Sequence, residues 1–218
     1  MRAVANEHSL VAHHFESMEQ QREATTLGMW AFLVTEILFF GGLFISYMVY
    51  RNMFPTVFAE ASHHLNVPLG AINTGVLLGS SLTMALAVHA AQEGRRAATL
   101  KFMAFTLFLG CVFLSIKGFE YAHKFEEHIF PGAGFMYDGP DARNAQLYFV
   151  LYFMMTGVHA LHMIIGIGVL SVMMVFTARG KYSAEYNAPV EIFGLYWHFV
   201  DIVWIFLYPL LYLINVHG

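Results

Sequence analysis

The chain has 218 residues, of which 58% are hydrophobic and only 12% are charged, and its formal net charge at pH 7 is −4. Soluble domains average about 25% charged residues, so the charged side chains here are too few to cover a soluble globule. The composition excludes a soluble enzyme and a disordered chain, and the acidic balance offers no basic surface for nucleic acid. It predicts an integral membrane protein.

Five segments are long and apolar enough to cross a bilayer, for which a helix needs about 20 mainly apolar residues. The predicted spans are residues 27–50, 69–92, 98–121, 147–178 and 190–216. They predict an all-α membrane protein, a bundle of five transmembrane helices over residues 27–218, preceded by a polar cytoplasmic tail at 1–26. Cys111 is the only cysteine, which excludes an internal disulfide and a cysteine-based metal site.

Lysine and arginine residues are distributed unevenly between the two sides of the predicted bundle. Seven belong to the tail, the second loop and the fourth loop, whereas three lie in the first and third loops. Because positive residues are enriched on the cytoplasmic side, this asymmetry predicts a cytoplasmic N-terminus and a periplasmic C-terminus. Arg95 and Arg96, in the second loop, are candidate contacts for lipid headgroups.

Glu36 lies in the middle of the first span, nine residues after Leu27. That is about 13 Å into a helix with a rise of 1.5 Å per residue. An ionisable group at such depth costs roughly 2.5–3.5 kcal/mol on insertion scales and usually faces other protein or water. Glu36 is therefore either a carboxylate linked to proton movement or a protonated, hydrogen-bonded strut between helices, and both interpretations stay open.

His159 and His162 lie near the middle of the fourth span, three residues apart, and are predicted to share one helix face. At that depth both are candidate hydrogen-bond partners for Glu36. Ligation of a metal or haem is the alternative, because neutral imidazole binds Zn, Cu and Fe. Such a site needs three or four converging ligands, and no Glu-x-x-His pattern supplies them, so interhelical hydrogen bonding is favoured.

The fifth span concentrates polar and aromatic residues, and its helical spacing places four of them on one face: Trp197, Asp201, Trp204 and Tyr208. His198 and Asp201, three residues apart, are predicted to share a hydrogen bond that anchors a helix interface. The aromatic stripe is predicted to be a packing surface or an interfacial anchor. Hydrolase and phosphate-binding motifs are absent from the sequence, so its residues indicate an accessory subunit or a small transporter.

Four sequence blocks resemble subunit III of the haem–copper respiratory oxidases, the family of cytochrome c oxidase and bacterial quinol oxidase. Residues 35–40 read TEILFF, where the family has Ser-Glu, two hydrophobic residues and Phe-Phe. Residues 73–78 read NTGVLL, and residues 156–162 read TGVHALH, similar to Thr-Gly-Phe-His-Gly-Leu-His. Residues 196–204 read YWHFVDIVW, close to Tyr-Trp-His-Phe-Val-Asp-Val-Val-Trp. The blocks occur in family order.

The resemblance implies the short, five-helix form of an accessory, non-redox subunit of a proton-pumping terminal oxidase in the bacterial inner membrane. Haem and copper would lie in partner subunits I and II. Subunit III would pack on subunit I, hold phospholipids in a cleft between its helices and support proton uptake and stability. A respiratory supercomplex is a further candidate assembly.

The resemblance also implies roles for individual residues. Glu36 would be the family's buried carboxylate, reactive with hydrophobic carbodiimides, and His159 or His162 would be its hydrogen-bond neighbour. A structural and lipid-facing set would consist of Glu191, Trp197, His198, Asp201 and Trp204. No catalytic or metal-binding residue is expected in this chain.

Three alternatives stay open at this stage. The electron donor is either cytochrome c or quinol. An equivalent subunit of nitric oxide reductase would have the same fold and a different partner. In another functional class, a stand-alone proton-coupled transporter would use Glu36 and His159.

Overall fold

The computed structural model describes residue 15 and residues 17–132, 134–139, 141–184 and 186–214. Within these ranges the chain forms six helices, namely α1 (Met18–Met53), α2 (Pro55–Ser62), α3 (Val67–Gln92), α4 (Arg96–Glu126), α5 (Ala142–Ala178) and α6 (Ala188–Tyr212). All except α2 are long and apolar enough to cross a membrane. The predicted all-α architecture with five spans is confirmed.

All five long helices begin before their predicted spans, α1 and α5 by the most, because polar residues outside a hydropathy window can still form helix when the helix start is capped. The Ser17 hydroxyl accepts a hydrogen bond from the Gln20 amide at 3.1 Å, and α1 begins at Met18. The Asp141 carboxylate caps α5, which has 37 residues. That is about 55 Å of helix, longer than a hydrocarbon core of about 30 Å.

Parts of the predicted tail and of the last predicted span lie outside the described residues. Residues 1–14 and 16 of the tail are not described, and residues 18–26 belong to α1. Residues 215 and 216 of the last predicted span are likewise not described.

The short helix α2 lies in the loop after the first span and was not predicted. Pro55 occupies its first turn, where a missing N–H is tolerated. Phe58 of α2 is fully buried, with its ring 5.5 Å from Tyr47 of α1 and 5.4 Å from Tyr148 of α5. This helix therefore covers one end of the interface between α1 and α5.

Helix α6 is the central helix of the bundle and packs against α1, α3 and α5. Half of its most apolar stretch is buried, compared with 17% for α1. Trp197 of α6 lies between Gly110 of α4 and Gly166 of α5, where an added methyl group would come within 3.1 Å of the indole. The missing side chains at these two glycines leave the space that the indole ring occupies.

Candidate functional site

Glu36 of α1 contacts His162 of α5, with 3.2 Å between Glu36 Oε2 and His162 Nε2. His162 Nδ1 lies 2.9 Å from the carbonyl oxygen of Val158 in its own helix. Because a carbonyl only accepts hydrogen bonds, Nδ1 is the donor of this contact, which leaves Nε2 facing the Glu36 carboxyl group. The Glu36–His162 contact is an ion pair when His162 is protonated, and it links α1 to α5.

His159, the other candidate partner, does not contact Glu36. It is fully buried, and its Nε2 donates to the Val200 carbonyl oxygen of α6 at 3.1 Å. Its Nδ1 makes no hydrogen bond within the described part of the chain. His159 and His162 therefore contact different helices. Their separation is about 60° around the helix, enough to turn one ring toward α6 and the other toward α1.

Trp197 and Trp204 of α6 face the interior of the bundle. Each is 1% exposed, and their indole N–H groups donate to α3, to Ser80 Oγ at 2.9 Å and to Thr74 Oγ1 at 3.1 Å. The expectation that Trp197 and Trp204 face lipid is therefore wrong. The reason is the central position of α6, which leaves this aromatic face in contact with helices instead of lipid.

His198 and Asp201 do not form the predicted mutual hydrogen bond. His198 Nδ1 lies 2.7 Å from the Ser81 hydroxyl of α3, so the imidazole makes its contact with another helix. Asp201 is 2% exposed, and neither of its carboxyl oxygens has a hydrogen-bond partner among the residues that the structure describes. Asp201 is thus a buried interior group and not a lipid-facing one.

Glu191, near the start of α6, connects three helices. One carboxylate oxygen lies 3.2 Å from the Arg22 guanidinium of α1, and the other accepts from the Gln92 side chain of α3 at 2.6 Å. Arg95 forms an ion pair with Glu93 in the turn between α3 and α4, and Arg96 lies beside Gly180. The contact of Arg95 and Arg96 with lipid headgroups stays a prediction.

Lys117 and Glu120 of α4 form a buried cluster that sequence reasoning missed. Lys117 Nζ donates to Glu120 Oε2 at 2.9 Å and to the hydroxyl oxygens of Tyr152 and Tyr212 at 3.2 and 2.9 Å. Both hydroxyls in turn donate to Glu120 Oε1, at 2.9 and 2.5 Å. Each ammonium proton has an acceptor and each carboxylate oxygen has a donor, so α4, α5 and α6 enclose a balanced ion pair. Lys117 and Glu120 are opposite charges three residues apart inside an apolar span, and this spacing is the sequence signal from which a buried ion pair could have been predicted.

Two cavities lie at opposite ends of the bundle. An apolar cleft of about 700 Å³ separates α1, α5 and α6 at the end where α1 begins, and Arg22 contributes to its lining. A second cavity of about 710 Å³ lies at the other end, and Glu120 and Tyr212 form part of its wall. Among the described residues, no group of three or more His, Cys, Asp or Glu side chains is placed to hold a metal ion.

Comparison with known proteins assigns these features to a family. The family model for cytochrome c oxidase subunit III matches residues 1–216. Cytochrome c oxidase subunit 3 of Corynebacterium diphtheriae is 30% identical over 192 residues, which is 87% of this chain and 88% of that protein. The probable quinol oxidase subunit 3 of Staphylococcus aureus is 29% identical over 202 residues, 92% of this chain and 94% of that protein. The chain therefore belongs to the cytochrome c oxidase subunit III family.

Proposed function

We propose that this chain is the accessory, non-redox subunit III of a proton-pumping haem–copper oxidase that reduces O₂ to water. The observation that carries the proposal is the family match over residues 1–216. One of the two relatives is named for cytochrome c oxidase and the other for quinol oxidase. Cytochrome c is the proposed electron donor, and quinol is the alternative.

The proposed complex places haem and copper in subunits I and II, with this chain packed on subunit I in the bacterial inner membrane. The distribution of lysine and arginine supports a cytoplasmic N-terminus and a periplasmic C-terminus. In that orientation, the apolar cleft between α1, α5 and α6 opens toward the cytoplasmic side.

We propose that this cleft, together with Arg22, binds a phospholipid. Its volume of about 700 Å³ and its mainly aliphatic and aromatic lining suit acyl chains. The Arg22 side chain is 65% exposed at the cleft and can pair with a phosphate while keeping its contact with Glu191. Lipid retained through purification by the wild type, and reduced in Arg22→Leu, would support this assignment. Equal lipid content in the two proteins would contradict it.

The proposed support of proton uptake rests on the Glu36–His162 pair. The pair places a carboxyl group beside an imidazole near the middle of two spans and is 15–18% exposed, so it borders the surface of the subunit. Glu36→Gln keeps a polar side chain of similar size beside His162 Nε2 and removes the ionisable carboxyl group. We expect this variant to assemble normally and to retain electron transfer. Complete loss of oxidase activity in an assembled Glu36→Gln complex would contradict an accessory role.

The decisive experiment is purification of the affinity-tagged chain from its native membrane in mild detergent. We expect it to migrate in one large complex with a haem- and copper-containing subunit and to consume O₂ with reduced cytochrome c or quinol. Nitric oxide reduction by the same band would identify the nitric oxide reductase alternative. Purification of the chain alone, with proton-coupled transport in liposomes, would overturn the proposal in favour of a transporter.

A further inference from the structure

Asp201 is the buried acidic group with the fewest interactions in the described part of the chain. Its side chain is 2% exposed, and neither oxygen accepts a hydrogen bond there. The ion pairs formed by the described residues do not include Asp201. An ionised carboxylate without donors or a counter-ion is strongly disfavoured inside a membrane protein, whereas the protonated acid is neutral.

Ser81 and His198 connect the neighbourhood of Asp201 to the surface of the bundle. The Ser81 hydroxyl contacts His198 Nδ1 at 2.7 Å. It also lies close to the Asp201 carboxyl, although the two groups do not meet the geometry of a hydrogen bond. His198 is only partly buried, and its Nε2 makes no hydrogen bond within the described residues.

The surface around His198 is apolar. Leu195 and Ile202, one turn before and after His198 on α6, are 37% and 49% exposed. Leu78, one turn before Ser81 on α3, is 52% exposed. His198 is therefore a polar group on an otherwise apolar face, in contact with Ser81, which is itself only partly buried.

We propose that Asp201 is a proton-binding site, separate from the Glu36–His162 pair, and that Ser81 and His198 exchange its proton with the surface. A proton that binds Nε2 of neutral His198 releases the Nδ1 proton to Ser81 Oγ, while the Ser81 hydroxyl turns and transfers its own proton to ionised Asp201. Afterwards Asp201 is protonated, Ser81 is again a neutral hydroxyl, and His198 carries its proton on Nε2. The reverse sequence releases the proton.

The first test measures the protonation state directly. Asp201 is one of three aspartates, and the other two, Asp138 and Asp141, lie in the loop between α4 and α5. In the full chain reconstituted into lipid nanodiscs with ¹³C-labelled aspartate side chains, we expect one carboxyl resonance at the protonated position between about pH 6 and 8. Asp201→Asn should remove that resonance. Three resonances at the ionised position in the wild type would overturn the proposal. This outcome does not depend on whether Asp201→Asn folds.

The second test measures the route of exchange. Transfer to D₂O shifts the infrared carbonyl band of a protonated carboxyl group, and the rate of that shift reports proton exchange. We expect Ser81→Ala and His198→Phe to slow the exchange by about tenfold or more, since each removes a proton-transferring group. Ser80→Ala is the matched control, because Ser80 is the adjacent serine and contacts Trp197 instead. Wild-type rates in Ser81→Ala and His198→Phe, or equal slowing in Ser80→Ala, would overturn the route.

Discussion

Lys117 and Glu120 lie one turn apart on α4 and form an ion pair with 2.9 Å between Nζ and Oε2, although each side chain is only 5% exposed. Two tyrosines, Tyr152 of α5 and Tyr212 of α6, each accept from the ammonium and donate to the carboxylate. The Lys117 ammonium also lies 5.0 Å from the Trp204 ring. A closed network of this kind offsets the cost of burying two charges and fixes three helices relative to one another.

The first prediction concerns the separate loss of the two charges. Lys117→Met or Glu120→Leu alone should destabilise the folded chain by about 3–5 kcal/mol, because each leaves an uncompensated buried charge. The double variant removes both charges and should be more stable than either single variant. Thermal unfolding in detergent checks this, and additive losses in the double variant would contradict the ion-pair interpretation.

The second prediction concerns the packing of Trp197 against Gly110. A Cβ at Gly110 would lie 3.1 Å from the indole, so Gly110→Val should overpack the interface and cost about 1–3 kcal/mol. Gly118→Val is the matched control, since a Cβ at Gly118 on the same helix meets no atom within 4 Å. Unfolding midpoints of the two variants provide the measurement. Equal destabilisation would show that helix propensity, and not the contact with Trp197, accounts for the loss of stability in both variants.

The third prediction concerns the reactivity of Glu36 toward a hydrophobic carbodiimide, which attacks the protonated carboxyl group. His162→Leu replaces the imidazole that contacts Glu36 with an apolar side chain, which disfavours the ionised carboxylate, so Glu36 should be labelled faster than in the wild type. His159→Asn should leave the rate unchanged, because His159 contacts Val200 and not Glu36. Mass spectrometry of the labelled peptide measures both rates. Slower labelling in His162→Leu would contradict this effect of the imidazole on Glu36.

The fourth prediction concerns acid stability at the end of α4. Partial burial alone would raise the pKa of Glu127, but the hydrogen bond and the charge of Lys124 outweigh it, so the pKa of this carboxyl group lies below its ordinary value of 4.5. A lowered carboxyl pKa contributes stability that is complete above the ordinary value and is lost as the pH falls through the lowered one.

Glu127→Gln should therefore reduce the loss of unfolding free energy between about pH 6 and pH 3, by about 1 kcal/mol or less since Glu127 is one-third exposed. Glu126→Gln is the control, because Glu126 is 80% exposed and its ion-pair partner is His123 at 3.9 Å. Unfolding curves across this pH range provide the measurement. An identical pH dependence in Glu127→Gln and the wild type would contradict the prediction.

The sequence by itself determined the five spans and the position of Glu36 in the middle of the first one. Both depend on local properties, the length of an apolar segment and the rise of a helix per residue, and so they can be derived without knowing the neighbours. The motifs at residues 35–40, 156–162 and 196–204 likewise indicated the family, which the match over residues 1–216 confirmed.

The tertiary structure alone decided which polar groups meet. Spacing within one helix shows which residues lie near one another on its surface, but the rotation and vertical offset of neighbouring helices come from packing between them. For that reason, the sequence could not choose between His159 and His162 as the partner of Glu36. The same limit applied to Ser81 as the partner of His198, and to the tyrosines of α5 and α6 that close the network around Lys117 and Glu120.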